Sequence, residues 1–316
     1  MDTPETVLEA VRTFSDPDTC REFIVRRRWP DGVRCPREGC GSRNVHFIAT
    51  RGIWRCNTCK KQFSVKVGTI FEDSPIGLDK WLVALWLLSS SKKSVSTYHL
   101  ARALGITQKT AWFINHRIRR AMRTSDFSKP LSGEVEVDET FIGGKARFMH
   151  KNKRAKKIKG TGGMGKAAVM GLLERHGPDG HSTVKVKMVP NVRRRTLAPE
   201  VREHVTPGAE VFTDSLPSYS RLAAEYIHKV IDHAETYVEG KVHTNGLENF
   251  WSLFKRTVYG THHYIAPFHL DRYLDEGTFR FNTRKIGDGT RFAQTLSNVA
   301  ERRLTYKKLI GKTKDN

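Results

Sequence analysis

The chain has 316 residues, with 55 Lys and Arg against 33 Asp and Glu, a net charge of +22 and a pI near 10.0. So large a cationic excess excludes an ordinary enzyme of small metabolites and predicts a polyanionic partner, nucleic acid before membrane. The acidic start (Met1 to Glu9) lacks the apolar stretch of a secretory leader, and the most hydrophobic run, Trp81 to Leu88, falls far short of the roughly 18 residues that span a bilayer.

Taken in order, residues 1–30 read as a helical lead-in, with Arg21, Arg26, Arg27 and Arg28 around Phe23 and Ile24. Cys20 stands alone, without a second thiol or His at ligand spacing, and is expected to be a half-buried spectator. Residues 31–68 carry a sharper pattern. Cys35 and Cys40 have four residues between them, Cys56 and Cys59 have two, and the pairs are fifteen residues apart. Each pair can grip one tetrahedral Zn²⁺ from a tight turn in which Gly39, Gly41 and Lys60 let the backbone approach the thiolates. Short strands are predicted around Arg51-Gly52, through Val45, Phe47, Ile48, Ile53 and Trp54. The expectation is a zinc ribbon with one structural ion, because four thiolates leave no position open for a substrate. His46 is expected at the surface.

Residues 69–128 form a helical region. Leu78, Trp81, Leu82, Leu85, Trp86 and Leu88 mark a buried helix, and residues 94–123 a helix-turn-helix, with Ser96 to Leu104 as one helix, a break at Gly105 and Thr107 capping the next. Ala111, Ile114, Ile118 and Met122 would face the core. Gln108, Lys109 and Thr110 would occupy the first turn, which meets base edges when such a helix enters a major groove. Arg117, Arg119, Arg120 and Arg123 would suit phosphates. A plain helical hairpin with a solvated basic face is the competing reading of this segment.

Beyond Lys129-Pro130 the pattern changes to strands. Glu134 to Asp138 alternates with period two, so Glu136 and Asp138 share one face and Val135 and Val137 the other. Strands are predicted at Ala167 to Leu173 and Thr183 to Val189, a helix at Arg193 to Val205, a strand at Ala209 to Phe212 leading into Thr213-Asp214-Ser215, a helix at Pro217 to Tyr226, and a last strand at Val230 to Asp232. The insertion 145–166, with Lys153, Arg154, Lys156 and Lys157 among its cations, reads as a mobile basic arm suited to a phosphate backbone. In the stretch His243 to Arg256, Leu247, Phe250, Trp251 and Phe254 are spaced to turn one helix face inward, and Glu248 and Lys255 share a neighbouring face. His262 and His263 follow, as candidates to reach the site or as loop histidines.

Acids on a first strand (Asp138), at the end of a fourth (Asp214) and on a late helix (Glu248) have the layout of an RNase H-like domain, which brings distant carboxylates to one end of a mixed sheet. Phosphodiester cleavage by in-line displacement is served there by two divalent ions about 3.5–4 Å apart. Mg²⁺, or Mn²⁺ in its place, takes oxygen ligands and keeps waters, so a few carboxylates suffice. The expected fold class is therefore α+β multidomain: zinc ribbon, helix-turn-helix, then an RNase H-like domain over 130–285 and a basic tail over 286–316.

Four segments carry a family resemblance: Val-Glu-Val-Asp-Glu-Thr-Phe-Ile-Gly-Gly-Lys (135–145), Phe-Thr-Asp-Ser (212–215), His-Thr-Asn-Gly-Leu-Glu-Asn-Phe-Trp-Ser-Leu-Phe-Lys-Arg (243–256) and Tyr-Leu-Asp-Glu-Gly-Thr-Phe-Arg-Phe-Asn (273–282). Together they resemble the bacterial insertion-sequence DDE transposases with an N-terminal zinc ribbon, the ISXO2-like relatives of the Merlin elements. The resemblance implies Asp138 and Asp214 as the first two catalytic acids and Glu248 as the third, with Asn245 or Asn249 as the alternative third residue. It implies Lys255, with Arg256 beside it, as downstream DNA contacts. Gly277 stands where this family commonly has an aromatic or apolar residue, and a looser late helix is expected there. The implied function is DNA transposition: binding terminal inverted repeats, 3′-end hydrolysis and strand transfer into double-stranded target DNA by a dimer or larger assembly, in the bacterial cytoplasm at the nucleoid. A transposase-derived DNA-binding regulator and a structure-specific RNase H-like nuclease are the alternatives.

Overall fold

A computed structural model describes residues 3–123, 129–144, 148–158, 163, 165–177, 180–214, 217–219, 222–231 and 243–312. The chain divides into two compact units, residues 1–123 with 285–316, and residues 124–284.

The first unit opens with α1 (Val7–Thr13) and α2 (Pro17–Arg28), each started by a side-chain cap, Thr6 accepting from the Glu9 N–H and Asp16 from the Thr19 N–H. Three short antiparallel strands follow, β1 (Val45–Ile48), β2 (Ile53–Cys56) and β3 (Gln62–Phe63). A ribbon this small has little apolar core of its own. Trp29, Trp54 and Phe63 supply it, their ring centroids 6.1–6.2 Å apart. The apolar run becomes α3 (Leu78–Ser90), with Trp81, Leu82 and Leu85 fully buried. The expected helical pair is α4 (Thr97–Leu104) and α5 (Gln108–Met122), capped by Ser96 and Thr107 and separated by Gly105 at φ +60°.

The second unit is built on five strands: β4 (Glu134–Ile142), β5 (Ala167–Glu174), β6 (Thr183–Val189), β7 (Glu210–Asp214) and β8 (Ile227–Ile231). Between β4 and β5 lies α6 (Lys151–Lys157), and between β6 and β7 lies α7 (Arg194–His204). The sheet is followed by α8 (Asn245–Thr257) and α9 (Leu270–Asn282). The spatial order is β6-β5-β4-β7-β8, with β4, β5 and β6 antiparallel in succession and β7 and β8 parallel to β4. This mixed sheet has the expected RNase H-like order. Period-two alternation on β4 and β5 sends Val135, Val137, Met170 and Leu172 to one face, against Leu197 and Val201 of α7. Val169 and Leu173 go to the other, against Leu247, Phe250, Trp251 and Phe254 of α8 and Leu270 and Leu274 of α9.

Glycines set how closely α8 sits. A Cβ on Gly171 of β5 would come within 2.6 Å of the Trp251 ring and 2.8 Å of Leu247. On α9, a Cβ on Gly277 would meet the Phe254 ring at 2.7 Å. The expected loosening at Gly277 is thus replaced by close packing, since the missing side chain makes room for Phe254. The predicted helix over Pro217 to Tyr226 is instead two short 3₁₀ turns, Pro217–Tyr219 and Leu222–Ala224.

The stretch expected as a basic tail folds. It forms α10 (Asp288–Ser297) and α11 (Tyr306–Leu309) and belongs to the first unit. Phe292 is fully buried, its ring 5.8 Å from that of Phe14 and 6.1 Å from that of Phe23. The amphipathic spacing of Phe292, Thr295 and Leu296 carries this helix, and the basic residues around it obscure the pattern in composition. Replacing Phe292 with Ala is expected to destabilise the first unit by about 3–5 kcal/mol, read as a lower denaturant midpoint; a dispensable tail would leave the midpoint unchanged.

Candidate functional site

In the ribbon, the four cysteine sulfurs lie within 4.8 Å of one another, with Cys35–Cys59 at 3.8 Å and Cys40–Cys56 at 3.7 Å. Sulfurs around a tetrahedral ion with Zn–S bonds of about 2.3 Å would stand about 3.8 Å apart, so the donor set fits zinc. Gly39, Gly41 and Lys60 have φ of +77°, +57° and +61°, the tight turns that aim the thiols inward. Backbone N–H groups of Cys59 and Thr58 pull the Cys56 thiol down to about 6, while burial pushes Cys35 up to about 12. His46 is exposed, as expected. Cys20 is fully buried rather than half-buried, its thiol donating to the Phe14 carbonyl.

In the second unit, β4 and β7 run side by side in parallel with Val137 opposite Thr213, which puts Asp138 and Asp214 next in line on adjacent strands. Their carboxylates and that of Glu139 lie within 4.8 Å of one another. Asp138 Oδ1 accepts from the Glu139 N–H at 2.8 Å, and Oδ2 from the indole N–H of Trp251 at 3.1 Å. Burial, then the charge of Asp214, push Asp138 up to about 6, and Glu248 adds to that push. Burial and the same two aspartates push Glu139 up to about 9. The close approach of these carboxylates raises the cost of charge on Asp138 and Glu139, and an oxygen donor set so arranged could hold a cation.

Glu248 sits in the first turn of α8, within reach of Thr244 Oγ1 at 3.5 Å. Two turns on, Lys255 is half-buried; burial lowers its pKa, partly countered by the attraction of Asp138. Arg256 is exposed. The helix itself is anchored by Glu136, whose carboxylate accepts the Leu247 N–H at 2.9 Å. Glu136 is 1 % exposed and also takes the Nε–H of Arg175 at 2.7 Å. A Cβ on Gly246 would lie 2.9 Å from that carboxylate, so only glycine leaves room for the contact.

With this geometry in place, comparison with known proteins is direct. Residues 130–282 match the ISXO2-like transposase domain and residues 15–62 the transposase zinc-ribbon domain. A transposase-like protein of Haemophilus influenzae is 38 % identical over 100 residues, 31 % of this chain and 80 % of its own. The chain belongs to the ISXO2-like transposase family. A protein in the transposable element ISH50 of Halobacterium salinarum is 27 % identical over 278 residues, covering 84 % of this chain and 90 % of its own. An ISXO2-like member with a four-cysteine ribbon and an acidic sheet end has the parts of an insertion-sequence transposase.

The other expected DNA contacts of this family member divide by burial. Gln108 and Lys109 are exposed and Thr110 half-exposed on the first turn of α5, as a reading helix requires. Arg117 is not available to phosphate. It is 2 % exposed and donates to the carbonyls of Leu304, Ile70 and Glu72, with its guanidinium 4.1 Å from the Phe113 centroid. Arg119 is fully buried as well. Arg117 sits one turn after Ile114, and Arg119, two residues further on, is buried on another side of α5, so these two positions of the basic run offer no basic surface. Arg154 is exposed on α6, whereas the side chains of Lys153, Lys156 and Lys157, and residues 145–147 of the basic arm, lie outside the described residues, as do Ser215 and Asp232. The π-helical turn Val258–His262 follows α8, and His262 packs on Tyr273 with ring centroids 4.8 Å apart.

Sequence reasoning missed Glu139, the Trp251 N–H as a partner of Asp138, and the Glu136–Arg175 pair. The alternation of β4 put Glu136 on one face with Asp138, the structure shows that this is the face α8 covers, and a charge on a buried face was the available signal.

Two outcomes follow from these contacts. Exchanging Arg175 for Met leaves Glu136 buried without its cation and is expected to cost about 3–5 kcal/mol, measured by urea unfolding; a change below about 1 kcal/mol would remove the pair from the account of α8. Because Asp138 and Glu139 are held above ordinary carboxylate values, the folded state binds more protons than the unfolded chain between about pH 4 and 9, so stability falls as pH rises through that range. Melting curves without magnesium are expected to show this slope, and Asp138→Asn with Glu139→Gln to flatten it.

Proposed function

We propose that this protein is an insertion-sequence transposase that hydrolyses the 3′ ends of its element and joins them to double-stranded target DNA. The observation that supports this most is the meeting of Asp138 and Asp214 at one sheet end, with Glu248 on α8 adding its charge to the same centre. Asp138, Asp214 and Glu248 would hold two Mg²⁺ or Mn²⁺ ions, which suit an oxygen donor set. Such ions lower the cost of charge on the attacking and leaving oxygens of a phosphodiester.

The chain's own groups do the rest. Trp251 orients Asp138 through its indole N–H at Oδ2, and the backbone N–H of Glu139 holds Oδ1. Glu139 is a fourth carboxylate at the centre, pushed up to about 9 and so able to keep a proton near neutral pH. Lys255, close enough to feel the charge of Asp138, would hold a phosphate beside the scissile bond, and Arg256 would extend that contact along the backbone. No covalent protein–DNA bond is needed, because water and then the freed 3′-OH serve as nucleophiles in successive displacements.

Gln108, Lys109 and Thr110 would read the inverted repeats from a major groove, Arg154 and the arm around it would grip phosphates, and the ribbon would be held by one structural zinc. Joining two ends calls for a dimer or a larger assembly. Among the described residues no helix is long and apolar enough to cross a membrane, and the proposed place of action is nucleoid DNA.

The test is metal-dependent strand joining on DNA carrying the element's own ends. Asp138→Asn is expected to abolish joining while binding to those ends persists, and Trp251→Phe to lower it about 10–100-fold through the lost orienting hydrogen bond. Undiminished joining by Asp138→Asn would overturn the assignment.

A further inference from the structure

A second feature lies at the acidic end of the sheet, on the face away from α8. A cavity of about 570 Å³ is lined by Arg193, Arg194, Arg195 and Arg202, with Ser218 and Leu222. Strand register fixes where it sits. Val189, the last residue of β6, pairs with Ala168, which pairs with Phe141, three residues beyond Asp138 on β4. β6 runs parallel to β4, so the chain leaves it at the end of the sheet where the acids stand. Arg193, Arg194 and Arg195 come immediately after that exit and open α7, which packs on the Val135 and Val137 face. From the other side, Ser218 follows Asp214 by four residues, a span of at most about 14 Å of chain. Its hydroxyl donates to the Val192 carbonyl at 2.7 Å, tying the turn after β7 to the approach of α7.

The charges in this cavity are placed against their own local interest. Three consecutive cations at the amino end of a helix face its positive pole, where acids are favoured by about 0.3–1 kcal/mol each. The first turn of α7 contains no acid, and among the described residues none forms an ion pair with Arg193, Arg194 or Arg195. All three are exposed. Arg202, at the rear, is engaged by Glu225, with Nη2 to Oε1 at 2.7 Å. Like-charge crowding without a counter-ion costs stability in the free protein, and guanidinium forks match phosphate oxygens in a bidentate geometry. An anionic partner of extended shape resolves both.

We infer that the arginine cavity at the start of α7 is a phosphate-backbone subsite for double-stranded DNA, holding the duplex that flanks the phosphodiester presented to Asp138 and Asp214. It rests on the proposed transposase reading for the identity of the polyanion, and on the strand register for its place beside the acids. It lies on the opposite face of the sheet from Lys255, so the two cationic groups would grip the DNA on both sides of the reacting phosphate.

The test is equilibrium binding of the full chain to two labelled duplexes, one carrying the element's terminal repeat and one of unrelated sequence, over a salt series without added magnesium. Each lost phosphate contact lowers the slope of log K against log salt by about 0.9. Arg193→Gln, Arg194→Gln and Arg195→Gln combined are expected to lower that slope by about 2–3, and the corresponding Lys triple variant to retain it. A thermal unfolding midpoint at or above that of the unsubstituted protein checks the fold of both. Loss on the terminal duplex alone, on the unrelated duplex alone or on both supports the subsite and tells which DNA it holds; an unchanged slope on both overturns it. Because no chemistry is read, a reduced slope stands even if Asp138→Asn still joins strands. Joining that needs Asp138, with an unaltered slope in the Gln variant, overturns the subsite and leaves the acids' role intact.

Discussion

The buried carboxylate of Glu136 is the contact on which the acidic end of the sheet depends. It stands two residues before Asp138 on the same face of β4, and it accepts one of the N–H groups that the start of α8 leaves without an intrahelical partner. An acid at the positive end of a helix is favoured, and a buried one is costly unless paired. Arg175 pairs it from β5's end, and Arg175 in turn reaches His243 just ahead of α8. One ion pair thereby ties three chain segments together at the start of the helix that carries Glu248. Gly246 and Gly171 complete the seat by letting the helix backbone and the Trp251 ring come down onto the sheet.

Against that anchored helix, the parallel pairing of β4 and β7 forces Asp138 and Asp214 together. The fold gives up stability to do so. Both burial and mutual repulsion push Asp138 and Glu139 upward, and at Asp138 the backbone N–H of Glu139 and the indole N–H of Trp251 oppose this. Rigid strands hold this cluster of acids in place better than loops would. In the ribbon, where so short a segment builds only the small aromatic core of Trp29, Trp54 and Phe63, four thiols converge on one point that a single zinc ion would fit.

Arginine illustrates how burial decides the meaning of a charge. Arg117 and Arg175 are inside, where their donors satisfy backbone carbonyls and a buried acid and hold elements in place. Arg193, Arg194 and Arg195 are outside, unpaired among the described residues, on a helix end that disfavours them. A net charge of +22 says that a polyanion is expected, but not which of the 55 cationic side chains meets it. In α5 the basic run and the apolar stripe overlap on one helix, and packing against Ile70 and Leu304 claimed the cation that lay nearest the core.

Local chemistry was legible in the residues themselves. Cysteine spacing specified the ribbon, period-two alternation placed Glu136 and Asp138 on one face of β4, and the i, i+3, i+4, i+7 stripe of α8 buried the four residues it named, because each depends on neighbours a few positions apart. The stretch after residue 286 was obscured, since a short amphipathic helix rich in polar residues acquires its identity from the distant Phe14 and Phe23 that cover Phe292. Likewise the indole of Trp251 looks like plain core in a helical pattern, and only the folded sheet brings Asp138 within 3.1 Å of its N–H. Residue types and their short-range spacing settle which side chains can carry the chemistry and which faces are buried. Which of those side chains meet is settled by folding, because hydrogen bonds and charge repulsion act through space between residues that the chain separates by more than a hundred positions.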